Sequence, residues 1–380
     1  MPDPDWSLLA ELRLADWAPR SELRVTQTVV ERPLAPVIDV HNHLGRWLND
    51  GEWMFDDVAA LVAMMDECGV ETIVNLDGLW GDEVTANVDR YDRAHPGRFV
   101  TFCHVDWARL GEPGGADALR ASLDDSAARG ARGVKVWKDL GLTVRDSDGS
   151  LIAPDDPRVI SVLRHAGGLG LPVLIHTADP IAFFAPADRR NERLDELTGV
   201  PEWWFGDTER YPTFDALLDA HAALVLACPG TTFIGAHAGC AAEDLDRVER
   251  LLAAAPNYTI DTAGRMAELG RQPRRFARLL AAHPEQVLFG TDAYPADADA
   301  YRLNYRFFET ADEGFSYDPG SEIPGQGRWN VSALDLDPEL LERVYRTNAK
   351  RVLGQVGEES PEHDMGPGAA PHRRDRAARA

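Results

Sequence analysis

The 380-residue sequence predicts an α/β fold, a TIM-like (β/α)8 barrel with insertions at its C-terminal mouth. Three observations carry this reading. Apolar, β-branched runs alternate with helix-like stretches eight times after Pro36. The runs suit strands covered on both faces, as in a parallel sheet. Residues of metal-binding type recur at the ends of runs that are not neighbours. Right-handed crossovers bring successive parallel strands together, and eight such units can close into a barrel whose strand ends surround one cavity. A doubly wound open sheet is the alternative, but it gives no comparable reason for that recurrence.

In chain order, residues 1–35 read as a leader whose Trp6, Leu8, Leu9, Leu12 and Trp17 can pack on the body as short helical turns. The barrel is assigned to 36–355. Its strands are expected near 37–41, 70–76, 99–105, 133–137, 172–176, 232–236, 257–261 and 286–290. Helices are expected near 56–68, 82–95, 116–129, 156–169, 213–227, 242–254 and 273–283, with a last one near 338–353. Three stretches exceed ordinary connections: a polar excursion at 139–154 and aromatic-rich insertions near 178–212 and 293–336. All follow strand ends and so belong at the mouth, where long loops cover or shape a substrate site. Their aromatics serve packing, a subunit contact or substrate contact. Residues 356–380, rich in Gly, Pro, Glu, Ala and Arg, are expected to form a disordered tail because little of them can be buried.

The formal charge of -24, from 63 acidic against 39 basic residues, sets the average surface against nucleic acid and anionic membrane. A small molecule is the expected partner, and a homo-oligomer is compatible with the aromatic excursions. The start Met-Pro-Asp-Pro-Asp does not read as a secretory signal, and no run approaches the ~20 apolar residues of a membrane span. The four cysteines, Cys68, Cys103, Cys228 and Cys240, are widely spaced and read as reduced core thiols of a cytoplasmic protein.

The chemistry is concentrated at four strand ends. Asp39-Val40-His41-Asn42-His43 closes the first strand, and alternation places Asp39, His41 and His43 on one face. His176 ends the fifth strand, His237 the sixth and Asp292 the eighth. Neutral imidazoles and a carboxylate suit a divalent ion, most naturally zinc, with manganese also possible. Asp292 can bind metal, accept a proton from water, or alternate between those duties. His237 can complete the ligand set or polarise substrate and transfer a proton. Asp39 can orient an imidazole through its second nitrogen or serve as strand-end support.

On the fourth strand, Lys135 and Trp137 share the face opposite Val134, Val136 and Lys138. A lysine pointing into a barrel must be paired, deprotonated or modified; carboxylated, Lys135 could bridge two metals. Asn75, Asp77, His104, Asp106 and Asp261 can line the cavity or stand behind it, and Arg265 can bind a substrate carboxylate. His95, His165, His221 and His283 read as packing or surface histidines.

The ordered set Ile38-Asp39-Val40-His41-Asn42-His43, Ile175-His176, Ala236-His237-Ala238-Gly239 and Gly290-Thr291-Asp292-Ala293-Tyr294-Pro295 resembles the metal-dependent amidohydrolase superfamily. The likeness is to its amidohydrolase-2 branch, which includes decarboxylases similar to aminocarboxymuconate semialdehyde decarboxylase. The resemblance implies His41, His43, His176 and Asp292 as a mononuclear site, with His237 as an added ligand or catalytic group. It also places Lys135 where many binuclear relatives carry a bridging lysine. The expected activity is a metal-dependent hydrolase acting on an amide, ester, lactone or related bond. The alternative is a non-oxidative decarboxylase or hydratase-like lyase acting on an aromatic or unsaturated carboxylic acid.

Overall fold

The computed structural model describes residues 5–354. Its strands follow one another in chain order: β1 (Val37–Asn42), β2 (Val70–Asn75), β3 (Phe99–Thr101), β4 (Cys103–His104), β5 (Val134–Val136), β6 (Val173–Ile175), β7 (Phe233–Gly235), β8 (Tyr258–Asp261) and β9 (Val287–Leu288). β1 to β3 form one parallel sheet and β4 to β9 another. Backbone bonds join the two into a ring. Phe102 N–H donates to Asn75 O at 2.9 Å, and the next amide, Cys103 N–H, crosses to Gly133 O at 2.9 Å. On the other side Val40 N–H donates to Phe289 O at 3.0 Å and Asp292 N–H to His41 O at 2.9 Å. β3 and β4 together therefore occupy the position of one barrel strand, and the fold is the expected TIM-like barrel.

Helices Val58–Cys68, Gly115–Arg129, Pro157–Gly168, Phe214–Ala227, Leu245–Ala254 and Pro273–Ala282 lie in the connections before β2, β5, β6, β7, β8 and β9. Asp57, Asp156, Thr213 and Asp244 cap four of them by accepting from first-turn amides, which satisfies donors the helix itself cannot. Strand side chains divide into two apolar sets. Ile38, Val40, Val74, Leu76, Leu174, Ile234 and Leu288 cluster with Ala349, Val352 and Leu353 of the last helix. Val134, Val136, Val173, Ile175, Phe233 and Ile260 belong to the larger cluster shared with the outer helices. The inward set is apolar low in the barrel and gives way to Lys135, His176 and Asp261 toward the strand ends, which fixes where polar chemistry can occur.

Four features depart from the sequence reading. The third strand is not continuous over 99–105 but bends at Phe102, whose ring lies where a Cβ on Gly133 would come within 2.4 Å. The 293–336 insertion contains a full helix, Ala298–Glu309, whose Tyr301, Tyr305 and Phe308 are buried. The leader forms short turns, Trp6–Ala10 and Leu14–Asp16, but its apolar side chains do not pack as expected: Trp6 is 72% and Trp17 48% exposed. Polar ties hold the leader instead, with Thr28 on Asp312 at 2.7 and 2.8 Å and Arg328 on Leu14 O at 2.7 Å. The fourth departure concerns Asp39 and is described with the site. The tail at 356–380 lies outside the described residues. All four cysteines are buried and unpaired, and among the described residues no helix is long and apolar enough to cross a membrane.

Candidate metal centre

His41, His237 and Asp292 each offer a ligand atom within 4.8 Å of the others. Asp292 is the hub. Its Oδ1 lies 3.8 Å from His41 Nε2 and 3.6 Å from His43 Nε2, and its Oδ2 lies 3.9 Å from His237 Nε2. Four donors at about 2.1 Å from one ion stand roughly 3.4 Å apart, so these spacings are those of a ligand shell rather than of direct hydrogen bonds.

The outer nitrogens explain why the inner ones face the centre. His41 Nδ1–H donates to Asp261 Oδ2 at 2.8 Å, His43 Nδ1–H to Asp77 Oδ1 at 2.6 Å, and His237 Nδ1–H to Ala263 O at 2.8 Å. A carboxylate or carbonyl only accepts, so each partner holds the ring proton outward and leaves a lone pair on the inward Nε2. Burial pushes His41 and His237 well below the ordinary imidazole value; Lys135 adds to this for His41, and Arg265 for His237. Both rings are therefore neutral, as a ligand must be.

His176 completes the wall at the end of β6. Its ring centroid is 4.5 Å from that of His237, and burial lowers it to about 3. Neither of its nitrogens has a hydrogen-bond partner, although Asp179 Oδ1 stands 3.3 Å from Nε2. Two orphaned nitrogens on a buried ring, three further inward lone pairs and a carboxylate fit a divalent cation.

Lys135 is 1% exposed, and its Nζ donates to His41 Nε2 at 3.3 Å. Burial lowers its affinity for a proton, against the pull of Asp292 and Asp261. Lys138 instead pairs with Asp179 at 2.6 Å and lies 4.6 Å over the Trp203 ring. Partly exposed Trp137 packs edge-on against His176 at 5.4 Å and His43 at 6.0 Å, and Trp47 meets Trp137 at 4.9 Å. A cavity of about 330 Å³ opens beside the hub, with Gly264, Thr291, Ala293, Asn304 and Gln326 on its wall.

Asp39 does not share a face with the two imidazoles. Ile38 and Val40 belong to the inner cluster, and Asp39 turns the other way, accepting from Thr291 Oγ1 at 2.6 Å, Thr291 N at 3.0 Å and Tyr301 Oη at 2.9 Å. A register irregularity between Asp39 and Asn42 breaks the alternation on which the expectation rested. The role of orienting imidazoles falls to Asp261 and Asp77. Asp261 does more: its Oδ1 accepts His237 N–H at 2.7 Å and Ala263 N–H at 3.1 Å. It thereby holds a left-handed turn in which His237, Ala238, Gly239 and Cys240 all have positive φ, 59°, 56°, 67° and 58°. Asp292 also has a left-handed backbone, φ 51°. Such conformations cost about 1–2 kcal/mol per non-glycine residue and persist where surrounding contacts over-determine them.

Fold and site together define a parallel α/β barrel with a histidine and carboxylate cluster at the C-terminal ends of its strands. The model of the family described as "Amidohydrolase" matches residues 38–355, and the chain belongs to that metal-dependent family. No curated protein matches the sequence. Among solved structures, 2,6-dihydroxybenzoate decarboxylase from Rhizobium is similar, with 16% identity, TM-score 0.53, and coverage of 85% of this chain and 100% of that one. A dihydroxybenzoic acid decarboxylase from Polaromonas sp. JS666, with bound manganese and the inhibitor 2-nitroresorcinol, gives 13%, 0.52, 84% and 97%. 5-Carboxyvanillate decarboxylase from Sphingomonas paucimobilis gives 14%, 0.50, 84% and 99%. At these identities the likeness is one of fold.

Proposed function

We propose that the protein is a metal-dependent, non-oxidative decarboxylase acting on an aromatic or unsaturated carboxylic acid. The hydrolytic expectation rests on family membership alone, whereas all three relatives described above are decarboxylases of ring carboxylates. The observation that carries the reading is one compact donor set at the strand ends with Trp47 and Trp137 packed beside its His43 and His176 rings; the cavity of about 330 Å³ adjoins it at Gly264 and Thr291.

His41, His43, His176 and Asp292 would hold one divalent ion, zinc or manganese, with His237 as the adjoining base or additional ligand. When bound, the ion supplies Lewis-acid polarisation of the substrate's oxygens. The chain's own groups do the rest. Trp47 and Trp137, packed against His43 and His176, would offer the substrate ring a flat apolar face. As carbon dioxide leaves, the electron pair of the broken bond remains on the ring or vinyl carbon, which must take a proton. His237, with its Nδ1–H committed to Ala263 O, has only a lone pair to offer and donates only after accepting a proton. Asp292, whose two oxygens face three imidazoles, is the better carrier of the proton that ends on carbon.

The test uses the metal-loaded protein with a panel of hydroxybenzoates and carboxyvanillates in D2O. Carbon dioxide release, with deuterium at the vacated carbon, is the expected result. Uptake of solvent ¹⁸O into product without carbon dioxide would restore the hydrolase reading.

A further inference from the structure

Asp179 is a buried carboxylate beside the centre that the proposed chemistry leaves unused. It lies three residues beyond His176, its side chain is 6% exposed, and its Oδ1 stands 3.3 Å from His176 Nε2. Two donors on one ion keep a spacing of roughly 3.4 Å, so Oδ1 already stands where a fellow ligand of His176 would. Yet among the described residues Asp179 completes no group of three donors with those of the hub. Lys138 holds it outside, with Nζ donating to Asp179 Oδ2 at 2.6 Å. The ammonium is fixed in turn, 4.6 Å over the Trp203 ring and 5.8 Å from that of Trp137. Burial pushes the Asp179 carboxyl up, but Lys138 and then His176 more than reverse this and hold it below the ordinary carboxylate range, so the group stays charged. Lysine occurs only at 135, 138 and 350 among 39 basic residues, and two of the three stand at the centre. Where arginine serves almost every other ion pair, the compact ammonium at 138 marks a position with a particular task.

We propose that Lys138 is a positioning residue that keeps Asp179 off the ion, and so keeps one coordination position free for substrate. His41, His43, His176, His237 and Asp292 already offer five donors. A sixth, anionic donor would complete an octahedral shell, and a centre with no open position can hold an ion but cannot present it to a substrate. A charged, buried carboxylate deprived of its cation turns to the nearest positive charge that remains, which in the loaded protein is the ion. The ion pair with Lys138 removes that choice, and Asp179 in return answers an ammonium whose side chain is 14% exposed at the mouth. The inference rests on the metal centre and not on which reaction the centre performs.

Two readouts test it without turnover: zinc affinity by competition against a chromogenic chelator, and solvent-proton relaxation in the manganese-loaded protein, which reports water held on the ion. Lys138→Met keeps most of the side chain's bulk between the two indoles and removes its charge. It should tighten zinc roughly tenfold or more, and cut the relaxation enhancement by roughly half as a carboxylate displaces water. Adding Asp179→Asn to Lys138→Met should return both readouts to wild type, and Asp179→Asn alone should leave zinc affinity within about twofold. The proposal is overturned if Lys138→Met moves neither readout, or if the double variant keeps the change, since the effect would then not run through Asp179. It is also overturned if Asp179→Asn alone weakens zinc by roughly tenfold or more, because Asp179 would then already be a ligand; that arm stands even where Lys138→Met fails to fold. None of these results bears on carbon dioxide release, so the decarboxylase reading stands or falls by its own assay.

Discussion

Asp261→Asn tests the logic of the centre, because it changes one atom and reverses one proton. The wild-type carboxylate is wholly buried and accepts three hydrogen bonds, two backbone amides on Oδ1 and His41 Nδ1–H on Oδ2. Asparagine has one acceptor and one donor end. Turning the amide nitrogen toward the two backbone N–H groups would leave both donors unpaired, at about 1–3 kcal/mol each. The carbonyl end therefore stays on His237 and Ala263, and the NH2 faces His41. A donor now meets Nδ1, so the ring proton moves to Nε2 and the inward lone pair is lost.

Removing such a supporting partner typically weakens metal binding 10- to 100-fold, about 1.4–2.7 kcal/mol. Competition against a chromogenic zinc chelator measures that directly, and Asp77→Asn should act on His43 in the same way. Zinc affinity within twofold of wild type in Asp261→Asn would refute the claim that this carboxylate sets the His41 tautomer.

Four other outcomes are expected. Gly235→Ala places a methyl 2.0 Å from Tyr258 Oη and 2.7 Å from its Cζ, so denaturant titration should show a loss of about 2–3 kcal/mol, with only partial recovery on adding Tyr258→Phe; an unchanged midpoint sinks the overpacking argument. His221 lies buried between Thr177 Oγ1 at 2.6 Å and Tyr258 Oη at 3.0 Å, and burial lowers it to about 4. The unfolded ring, near 6.5, takes a proton the folded one refuses, so this contribution to stability is intact above pH ~6.5 and is lost toward pH 4, by about 3 kcal/mol; His221→Gln should flatten the pH dependence, and an identical slope would contradict the reading. His176→Ala should weaken metal binding by roughly tenfold or more, yet it breaks no hydrogen bond, so the metal-free thermal midpoint should fall far less than the metal-loaded one; equal falls would make His176 a packing residue. Lys135→Gln should leave about one ion per chain by elemental analysis, whereas a drop from two to one would identify the lysine as a bridge.

The strand-end residues were legible because each follows an apolar run long enough to be a buried strand, as Val173-Leu174-Ile175 precedes His176. Lys135 was legible from the same alternation, and it does reach the centre from β5. The partners of the imidazoles were present as candidates but could not be assigned, since His41 and Asp261 are 220 residues apart and only ring closure makes them neighbours. Asp39 was misplaced because period-two reasoning assumes an unbroken strand. The helix Ala298–Glu309 carried a signal, Tyr301, Tyr305 and Phe308 at i, i+4 and i+7, inside a stretch read as an excursion. The left-handed turn had almost none: of its four residues only Gly239 favours positive φ, and His237, Ala238 and Cys240 are held there by tertiary contacts.

That turn and the tautomers lead to the same conclusion about mechanism. Three imidazoles reach the centre from β1 and from the turn after β7, and each is backed by a group that can only accept: two carboxylates and a carbonyl. Had any backing group been a donor, that ring would present N–H to the centre and repel a cation. A ring rotation to offer Nδ1 would break the Ala263 contact, while the Asp261 clasp on the His237 amide holds the backbone of the left-handed turn in place. Neutral rings with inward lone pairs make a site that receives charge and protons but does not supply them. The proton that reaches carbon must come from a group other than these rings, and two stand at the hub: Asp292, whose side chain stays 29% exposed, and Lys135, whose Nζ lies 3.3 Å from His41 Nε2.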